Sequence, residues 1–305
     1  MSLRPDGAAI VARDLRKTYG DTEALRGIDL HVDRGEIFAL VGPNGAGKTT
    51  ATEILEGYRE RTSGEVRVLG RNPMRFDRET RARIGIVLQS TGVDPYLTVA
   101  ETVDLYRGYY PTPRPRDEVL DLVGLEEEKD TSVLRLSGGQ QRRLDVAIAL
   151  AGDPELLFLD EPTAGFDPAA RRNAWAIVRS LADLGKTVFL TTHFMDEAQV
   201  LADRVAVISN GEIVAEGPPS ALGGRDLGRT TIRFRAADYT GMPTLGFRQL
   251  PDGTLELSTE EPTWILHELT TWAVARGHQL DSLEVHRPTL EDVYLRLTGE
   301  EETQP

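Results

Sequence analysis

The chain has 305 residues, a net charge of −14 and no cysteine. This length predicts one large or two ordinary domains, and the lack of cysteine excludes disulfides and cysteine-ligated metals. The acidic balance argues against a nucleic-acid partner, because such partners usually select a positively charged surface. The first residues show no apolar signal segment, and no apolar run approaches the ~20 residues of a membrane helix. We therefore expect any membrane process to require another chain.

Short apolar or alternating runs bounded by turn residues predict strands along the first two thirds of the chain. They cover 10–19, 28–32, 37–41, 84–89, 156–160, 187–192 and 205–209. Helical patterns lie between several of them, over 48–56, 99–109, 140–151, 169–184 and 195–201. Strands that alternate with helices predict a largely parallel, doubly wound sheet. The dipeptide Asn210-Gly211 predicts a type I′ hairpin, and hence antiparallel strands at one edge.

Other stretches predict a helical subdomain and a second domain. No strand pattern occurs from about 91 to 136, which predicts a helical insert. A linker composition over 217–228 divides the chain into predicted domains 1–222 and 223–305. The second domain has strand patterns at 230–236 and 254–260, a helical face and an amphipathic helix at 288–297, and then a frayed tail. The helical face is formed by Ile265, Leu269, Trp272 and Arg276.

A glycine-rich loop, GPNGAGKTT, follows the strand predicted at 37–41. It matches G-x-x-x-x-G-K-[ST], in which glycines let the backbone wrap phosphate oxygens and successive N–H groups point at the anion. Lys48 would pair with the β- and γ-phosphates, and Thr49 would offer a hydroxyl to Mg²⁺. The alternative is a plain glycine turn into a helix. The loop indicates nucleoside triphosphate binding without separating kinases, GTPases and ATPases. Its candidate binding residues are Gly42, Pro43, Asn44, Gly45, Ala46, Gly47, Lys48, Thr49 and Thr50.

Two carboxylates end the strand predicted at 156–160, in the segment LLFLDEPTAGFDP. Open parallel sheets bind ligands at the carboxyl ends of their strands. Asp160 is therefore a candidate Mg²⁺ ligand, acting through water, and Glu161 is a candidate general base for an attacking water. Two acids in solvent at a strand end are the alternative interpretation. The phosphate loop earlier in the sequence favours the catalytic interpretation of Asp160 and Glu161.

A second glycine-rich element, LRLSGGQQRR, covers 134–143. Ser137 and Gln140 have the spacing of a capping box, which alone predicts an ordinary helix start. Gly138 and Gly139 add nothing to capping and disfavour the helix through backbone entropy. They do present bare N–H groups at a helix N-terminus, which can bind an anion. Two anion sites on different lobes suggest two copies packed head to tail, with each first loop facing the second loop of the other copy.

The combination of GPNGAGKTT, LLFLDEP and LSGGQ resembles the ATP-binding-cassette (ABC) ATPases over about residues 8–222. The resemblance implies an α/β fold of the P-loop NTPase (RecA-like) type, with a mixed sheet, antiparallel edge strands and a helical subdomain. A small α+β domain would follow it. The resemblance also implies that ATP and Mg²⁺ are bound, that ATP is hydrolysed, and that ATP lies between the first loop of one chain and Ser137–Gln140 of another.

The resemblance assigns roles to four further residues. Gln89 resembles the glutamine that senses Mg²⁺ and the attacking water, and His193 the switch histidine at the γ-phosphate. Asp167 resembles the aspartate that acts across the dimer, and Tyr19 the aromatic that stacks on adenine. Each also has an ordinary interpretation. Gln89 could be a polar residue at a strand end, and His193 a surface or capping residue. Asp167 could cap a helix, and Tyr19 could be a packed strand aromatic. Phe166 departs from the family, in which leucine is commoner.

The C-terminal part resembles the ATPases of drug- and antibiotic-export systems, including the daunorubicin-resistance type, up to the segment HRPTLEDVYLRLTG. This implies a peripheral subunit at the cytoplasmic face of the membrane that works with a separate polytopic permease. The alternatives are a soluble ATPase or nucleotide-gated scaffold without a transport role, and a nucleotide-binding regulator without turnover. The C-terminal domain is either a dimer-stabilising or regulatory element or an inert appendage. The sequence carries no signal for the cargo.

Overall fold

The computed structural model describes residues 7–87, 92–222, 229–286, 292 and 294. The chain divides into two compact units, Met1–Pro219 and Ser220–Pro305. The strands of the first unit are β1 (Ala8–Tyr19), β2 (Thr22–Asp33), β3 (Ile37–Val41), β4 (Ser63–Val68), β5 (Ile84–Val87), β6 (Leu156–Asp160), β7 (Thr187–Thr192), β8 (Arg204–Ser209) and β9 (Glu212–Gly217). Its helices are α1 (Lys48–Glu56), α2 (Arg78–Ala82), α3 (Val99–Arg107), α4 (Arg116–Val123), α5 (Gly138–Leu150), α6 (Pro168–Asp183) and α7 (Met195–Leu201), and the short helix α8 (Pro219–Leu222) spans the division. The predicted domain boundary at 222/223 stays a prediction.

The central sheet of the first unit has the order β5-β6-β7-β3-β8-β9 in the described part of the chain. Its first five strands pair in parallel, and β9 pairs antiparallel with β8. Strands β3 and β7 are buried along their whole length, as expected when both faces of a parallel sheet are covered. The predicted mixed α/β sheet with an antiparallel edge is confirmed.

The turn between β8 and β9 has the predicted geometry. Asn210 has a φ of 50° and Gly211 a φ of 80°, and a type I′ turn requires positive values at both central residues. Asparagine and glycine are the residues that adopt this conformation at least cost.

A second, antiparallel sheet has the order β2-β1-β4. Only part of this sheet was predicted from the sequence. Strand β2 begins at Thr22 rather than at 28, and β4 was not predicted. The residues Thr22–Gly27 lack apolar alternation, yet main-chain pairing with β1 continues through them to Tyr19 opposite Thr22. Strand β4 buries only Val66 and Val68, which is too short a pattern to stand out.

The predicted helical insert contains α3 and α4, and α5 packs against both of them. Helix α5 also packs against β5 of the central sheet, so the predicted end of the helical subdomain at about 136 stays a prediction. Helix α3 ends at Arg107, two residues before its predicted end, because Gly108 takes the C-cap position. Helix α5 starts at Gly138 and α6 at Pro168, slightly earlier than predicted. In the described segments, each helix is too short or too polar to cross a bilayer.

Three phenylalanines on neighbouring strands form the centre of the first unit. Phe38 stacks on Phe189 with ring centroids 5.8 Å apart, and Phe158 tilts against Phe189 at 5.6 Å. All three are completely buried. Aromatic pairs at these distances add to the hydrophobic stabilisation, so β3, β6 and β7 are held together at their middles.

The second unit has an antiparallel sheet of order β11-β12-β10-β13. Its elements are β10 (Thr230–Arg235), β11 (Arg248–Gln249), β12 (Leu255–Thr259), α9 (Pro262–Arg276) and β13 (Asp281–His286). Ile232 and Phe234 pack against α9 through Ile265, Leu269 and Trp272, so both predicted strands and the apolar residues of the predicted helical face are confirmed. Arg276 stays exposed and donates to the Thr240 carbonyl at 3.2 Å. The helix predicted at 288–297 lies largely outside the described residues.

Phe158→Ala should destabilise the first unit by about 3–5 kcal/mol, because it leaves a cavity in a closely packed core. Hydrogen exchange followed by mass spectrometry should show faster exchange in β3, β6 and β7. The matched control is Phe234→Ala, which should speed exchange in β10 and β12 instead. Equal effects of both variants on both sets of strands would contradict separate cores.

Candidate nucleotide-binding and catalytic site

The phosphate loop connects β3 to α1, as predicted, and close packing requires two of its glycines, Gly42 and Gly47. A β-carbon at Gly42 would lie 2.2 Å from the carbonyl oxygen of Ile208. Gly47 has a φ of 111°, and a β-carbon there would lie 2.8 Å from the Ala24 carbonyl oxygen. Helix α1 has neither a side-chain cap nor an acidic residue in its first turn. Its N-terminal dipole therefore favours an anion in the loop.

Lys48 is the buried cation of this loop, with 6% of its surface exposed. Its Nζ donates to the carbonyls of Gly42 at 2.7 Å and Pro43 at 3.1 Å. Burial lowers its pKa, while the nearby charges of Glu161 and Asp160 act in the opposite direction. The structure thus brings Lys48 and the two predicted carboxylates into one electrostatic neighbourhood. The loop residues Asn44 and Gly45, and Thr49 in the first turn of α1, are exposed.

The β8–β9 turn supports the phosphate loop through the main chain. The Gly211 N–H donates to the Ala46 carbonyl at 3.0 Å, and the Gly211 carbonyl accepts from the Arg26 N–H at 2.9 Å. A β-carbon at Gly211 would lie 2.8 Å from the Ala24 carbonyl oxygen. The turn therefore links the loop to β2, and a side chain at Gly211 would disturb that link.

The carboxylate pair is fixed by the register of β6 on β7. Asp160 lies opposite Thr191, and the Thr191 hydroxyl donates to the Asp160 carboxylate. The Glu161 N–H donates to the Thr191 carbonyl at 3.0 Å. Glu161 has a φ of 45°, a left-handed conformation that costs about 1–3 kcal/mol outside glycine and recurs at functional sites. Neighbouring hydrogen bonds hold it in this conformation.

His193 lies directly beside Glu161. Its Nδ1 is 3.1 Å from Glu161 Oε1, and its ring packs on Phe194 with centroids 4.0 Å apart. A third of the His193 side chain remains exposed, while Glu161 is mostly buried. This contact can orient the Glu161 carboxylate and can also transfer a proton.

The second glycine-rich element starts α5 with the predicted capping box. Gln140 N donates to Ser137 Oγ at 3.3 Å, and Ser137 N donates to Gln140 Oε1 at 2.9 Å. A β-carbon at Gly138 would meet nothing within 4 Å, and one at Gly139 would only touch Ala170. Contacts within the described chain therefore do not require either glycine. A cleft of about 960 Å³ opens in front of them, and its lining includes Ser137, Gly138, Gly139, Glu161, Phe166 and Asp167.

The remaining predicted residues lie in different places. Asp167 caps α6, because its Oδ1 accepts from the Ala170 N–H at 2.9 Å, and its exposed side also borders the cleft. Tyr19 ends β1, 39% exposed, with the Lys17 ammonium 4.9 Å from its ring centroid. Gln89 lies outside the described residues, and its role stays a prediction.

Sequence reasoning missed the groups that support the carboxylates. Arg142 is buried in α5, where its guanidinium donates to the carbonyls of Asp160 at 2.8 Å and Pro162 at 3.3 Å. Burial lowers its pKa, and Asp145 opposes that effect. A charged residue on the apolar face of a helix was the sequence signal that could have identified Arg142, because Arg142, Val146 and Ala149 lie on one helical face. No local pattern marked Thr191.

Glu56 is a buried acid at the end of α1. Its Oε1 has no hydrogen-bond partner in the described part of the chain. Burial, and then the negative charges of Asp160 and Glu53, raise its pKa to about 8. The side chain is therefore neutral at pH 7, so that it adds no negative charge beside Asp160.

The parallel sheet, the phosphate loop that opens α1 and the carboxylates at the end of β6 define a P-loop nucleoside triphosphatase. A model described as "ABC transporter" matches residues 25–164. A model described as "ABC transporter domain-containing protein-like, C-terminal domain" matches residues 230–289.

Whole-chain relatives agree with these matches. The chain is 39% identical to the Nod factor export ATP-binding protein I of Paraburkholderia xenovorans, over 96% of this chain and 98% of that protein. It is 38% identical to the protein of the same name from Ralstonia nicotianae, over 94% and 92% of the two chains. The chain belongs to the ABC transporter family, as an ATP-binding subunit.

Solved structures of the same family superpose on it. One is cbiO1 from Clostridium perfringens, described as part of the ABC transporter complex cbiONQ, with a TM-score of 0.66 and 29% identity over 73% of this chain and 93% of that one. Another is the ATP-binding cassette MJ0796, described as a dimeric post-hydrolysis state bound to ADP and Pi, with a TM-score of 0.61 and 29% identity over 68% and 98% of the two chains. Membership of this family implies ATP binding and hydrolysis.

Glu56→Gln should stabilise the protein at high pH. The pKa of Glu56 is about 8 when folded and about 4.3 when unfolded. Stability is therefore lost as the pH rises between these values, and the glutamine variant avoids this loss. Thermal unfolding should show a gain that grows from about pH 5 to about pH 8.5, reaching a few kcal/mol, since each pKa unit corresponds to about 1.4 kcal/mol. The exposed Glu118 supplies the control Glu118→Gln. A gain that does not vary with pH would contradict the assignment.

Proposed function

We propose that this chain is the ATP-hydrolysing subunit of an ABC exporter. Two copies pack head to tail, each pair of facing loops encloses one ATP with Mg²⁺, and hydrolysis drives a separate polytopic permease. The chain would act at the cytoplasmic face of the membrane. Residues 1–222 would bind and hydrolyse the nucleotide, and residues 223–305 would form an accessory domain.

The start of α5 carries this proposal. Gly138 and Gly139 occupy the first two positions of α5, where glycine loses more backbone entropy on folding than alanine, and their surroundings leave room for a β-carbon. The requirement for glycine would then come from a group that approaches from outside the chain. Bare N–H groups at a helix N-terminus suit a phosphate, and the cleft in front of them also borders Glu161 and Asp167.

The residues of the first loop suit the triphosphate of ATP. Its main-chain N–H groups and Lys48 would hold the β- and γ-phosphates. Thr49 and Asp160 offer a hydroxyl and a carboxylate, which are hard oxygen ligands of the kind that Mg²⁺ prefers alongside phosphate oxygens. Bound Mg²⁺ would neutralise charge on those oxygens. Gln89 would complete this set, and Tyr19 would stack on the adenine.

Glu161 and His193 suit the hydrolytic step. Glu161 Oε1 would accept a proton from a water that attacks the γ-phosphorus, as a general base. His193, 3.1 Å from that carboxylate, would orient it and donate towards the γ-phosphate. Ser137 and Gly138 of the other copy would close the site, and Asp167 would contact the facing chain.

Export is supported by the relatives, whose names describe Nod factor export. We propose a drug-, antibiotic- or lipid-like cargo of the type handled by daunorubicin-resistance ATPases. That cargo would contact the permease, because the proposed roles of this chain are nucleotide chemistry and partner binding.

Defined heterodimers test the head-to-tail arrangement. One protomer carries Lys48→Ala and its partner carries Ser137→Arg, so that both defects fall in the same composite site. One intact site should remain, with about half of the wild-type ATP binding, measured by equilibrium dialysis of differently tagged, co-purified chains. In the matched control, one protomer carries both substitutions and its partner is wild type. This pairing should leave no intact site. The reverse ranking of the two heterodimers would show that each site is built from a single chain.

Capture of the tagged full chain from detergent-solubilised native membranes tests the export role. We expect a polytopic membrane protein to co-purify and to raise the rate of ATP turnover. The control is the same capture with untagged chain. Turnover without any such protein would favour a soluble ATPase or scaffold, and no turnover in its presence would favour a nucleotide-binding regulator.

A further inference from the structure

Glu197 is a fully buried carboxyl in the first turn of α7. Its Oε1 accepts from the Thr163 hydroxyl at 2.8 Å and from Trp175 Nε1 at 3.1 Å. Its Oε2 has no hydrogen-bond partner, and no lysine, arginine or histidine lies within ion-pair distance of it in the described segments. Burial raises the pKa of this carboxyl, and the charge of Arg171 opposes that effect without a direct ion pair. A buried acid in such a setting is destabilising relative to an apolar side chain of similar volume. The presence of Glu197 at this buried position therefore requires another explanation.

The three elements joined by Glu197 surround the candidate active site. Thr163, itself fully buried, belongs to the loop 161–167 that begins with Glu161 and ends with Asp167. Trp175 lies on α6, the helix that Asp167 caps. Glu197 lies four residues after His193, at the start of the helix that follows it. One oxygen of Glu197, a residue of the helix that follows His193, thus accepts hydrogen bonds from both the loop that carries Glu161 and α6.

A second set of contacts connects α6 to the segment that carries His193. The Arg171 guanidinium of α6 lies over the ring of Phe194, 4.1 Å from its centroid, and pairs with Asp196 at 3.4 Å. Phe194 in turn packs on the His193 ring. Helix α6 therefore contacts the His193 segment through Arg171, while Glu197 accepts from Thr163 of the loop 161–167.

We propose that Glu197 is a positioning residue for ATP hydrolysis, which keeps Glu161 and His193 in register by tethering Thr163 and Trp175 to the start of α7. This rests on the proposed function, because the register matters only if Glu161 and His193 act on ATP. The tether uses Oε1 as a hydrogen-bond acceptor. A glutamine, which retains that oxygen, should replace it, and a leucine of similar volume should not.

ATP turnover and ATP affinity of the purified full chain test the tether. Glu197→Leu should lower kcat by about 10- to 100-fold, since misplacing reacting groups by ~1 Å can cost ~100-fold. Its Kd for Mg-ATP should stay within about threefold of wild type, because the phosphate loop is untouched. Glu197→Gln should keep most of the activity. Thr163→Val, which removes one donor without changing the side-chain shape, should fall between them.

Glu36→Leu is the matched control for a general loss of stability. Glu36 is a partly buried carboxyl that accepts from Arg204 at 3.1 Å and from the Asp33 N–H at 2.7 Å, at the opposite end of β3 from the phosphate loop. It should lower the melting temperature while leaving kcat of the folded protein unchanged. An equal loss of kcat in Glu36→Leu and Glu197→Leu would overturn the positioning role, and so would a Glu197→Gln variant as inactive as Glu197→Leu.

Hydrogen exchange of the nucleotide-free protein separates this inference from the proposed function. Glu197→Leu should raise exchange in 161–167 and 193–197 together, whether or not the chain hydrolyses ATP. A rise confined to α7 would overturn the tether. If wild-type turnover is absent or unaffected by Glu161→Gln, the hydrolytic proposal fails while the exchange result still decides whether the two segments are coupled.

Discussion

The parallel pairing of β6 with β7, which sets Asp160 opposite Thr191, is the constraint on which the active end of the molecule depends. Through this register the Thr191 hydroxyl reaches Asp160, and its carbonyl holds the Glu161 N–H. The chain then turns through the left-handed conformation of Glu161 and places its carboxyl beside His193. A slip of one residue would move every side chain of β6 to the other face. The aromatic contacts of Phe158 and Phe189 in the middle of these strands oppose such a slip.

Two kinds of glycine distinguish two kinds of binding surface. Gly42 and Gly47 are required by contacts inside the chain, since a β-carbon at either would collide with a main-chain carbonyl. The phosphate loop is therefore shaped before any ligand arrives, which limits the ordering cost of binding. Gly138 and Gly139 have no such internal reason. This difference separates a surface whose glycines are fixed by internal packing from one whose glycines are left unexplained by contacts within the described chain.

The sequence predicted the parallel strands, the edge hairpin and the capping box of α5, because each has a strong local signal in apolar runs or turn chemistry. It also placed Asp160 and Glu161 at the sheet edge beside the phosphate loop, because parallel strands end together, whereas His193 was assigned only through the family resemblance. It missed the start of β2 and all of β4, where main-chain pairing rather than apolar alternation determines the strand. Thr191, Arg142 and Glu197 were missed because their partners are distant in sequence. Nothing near Glu197 indicates that it meets Thr163 and Trp175.

The turn at Asn210-Gly211 has a consequence for how this chain can vary. Exposed hairpin tips are ordinarily where proteins accept inserted residues or grafted peptides. This tip is anchored on both sides, by its N–H to Ala46 and by its carbonyl to Arg26, so added residues would break a main-chain brace of the phosphate loop. This two-residue turn has no reactive side chain, yet its main-chain hydrogen bonds limit where residues can be inserted into the chain.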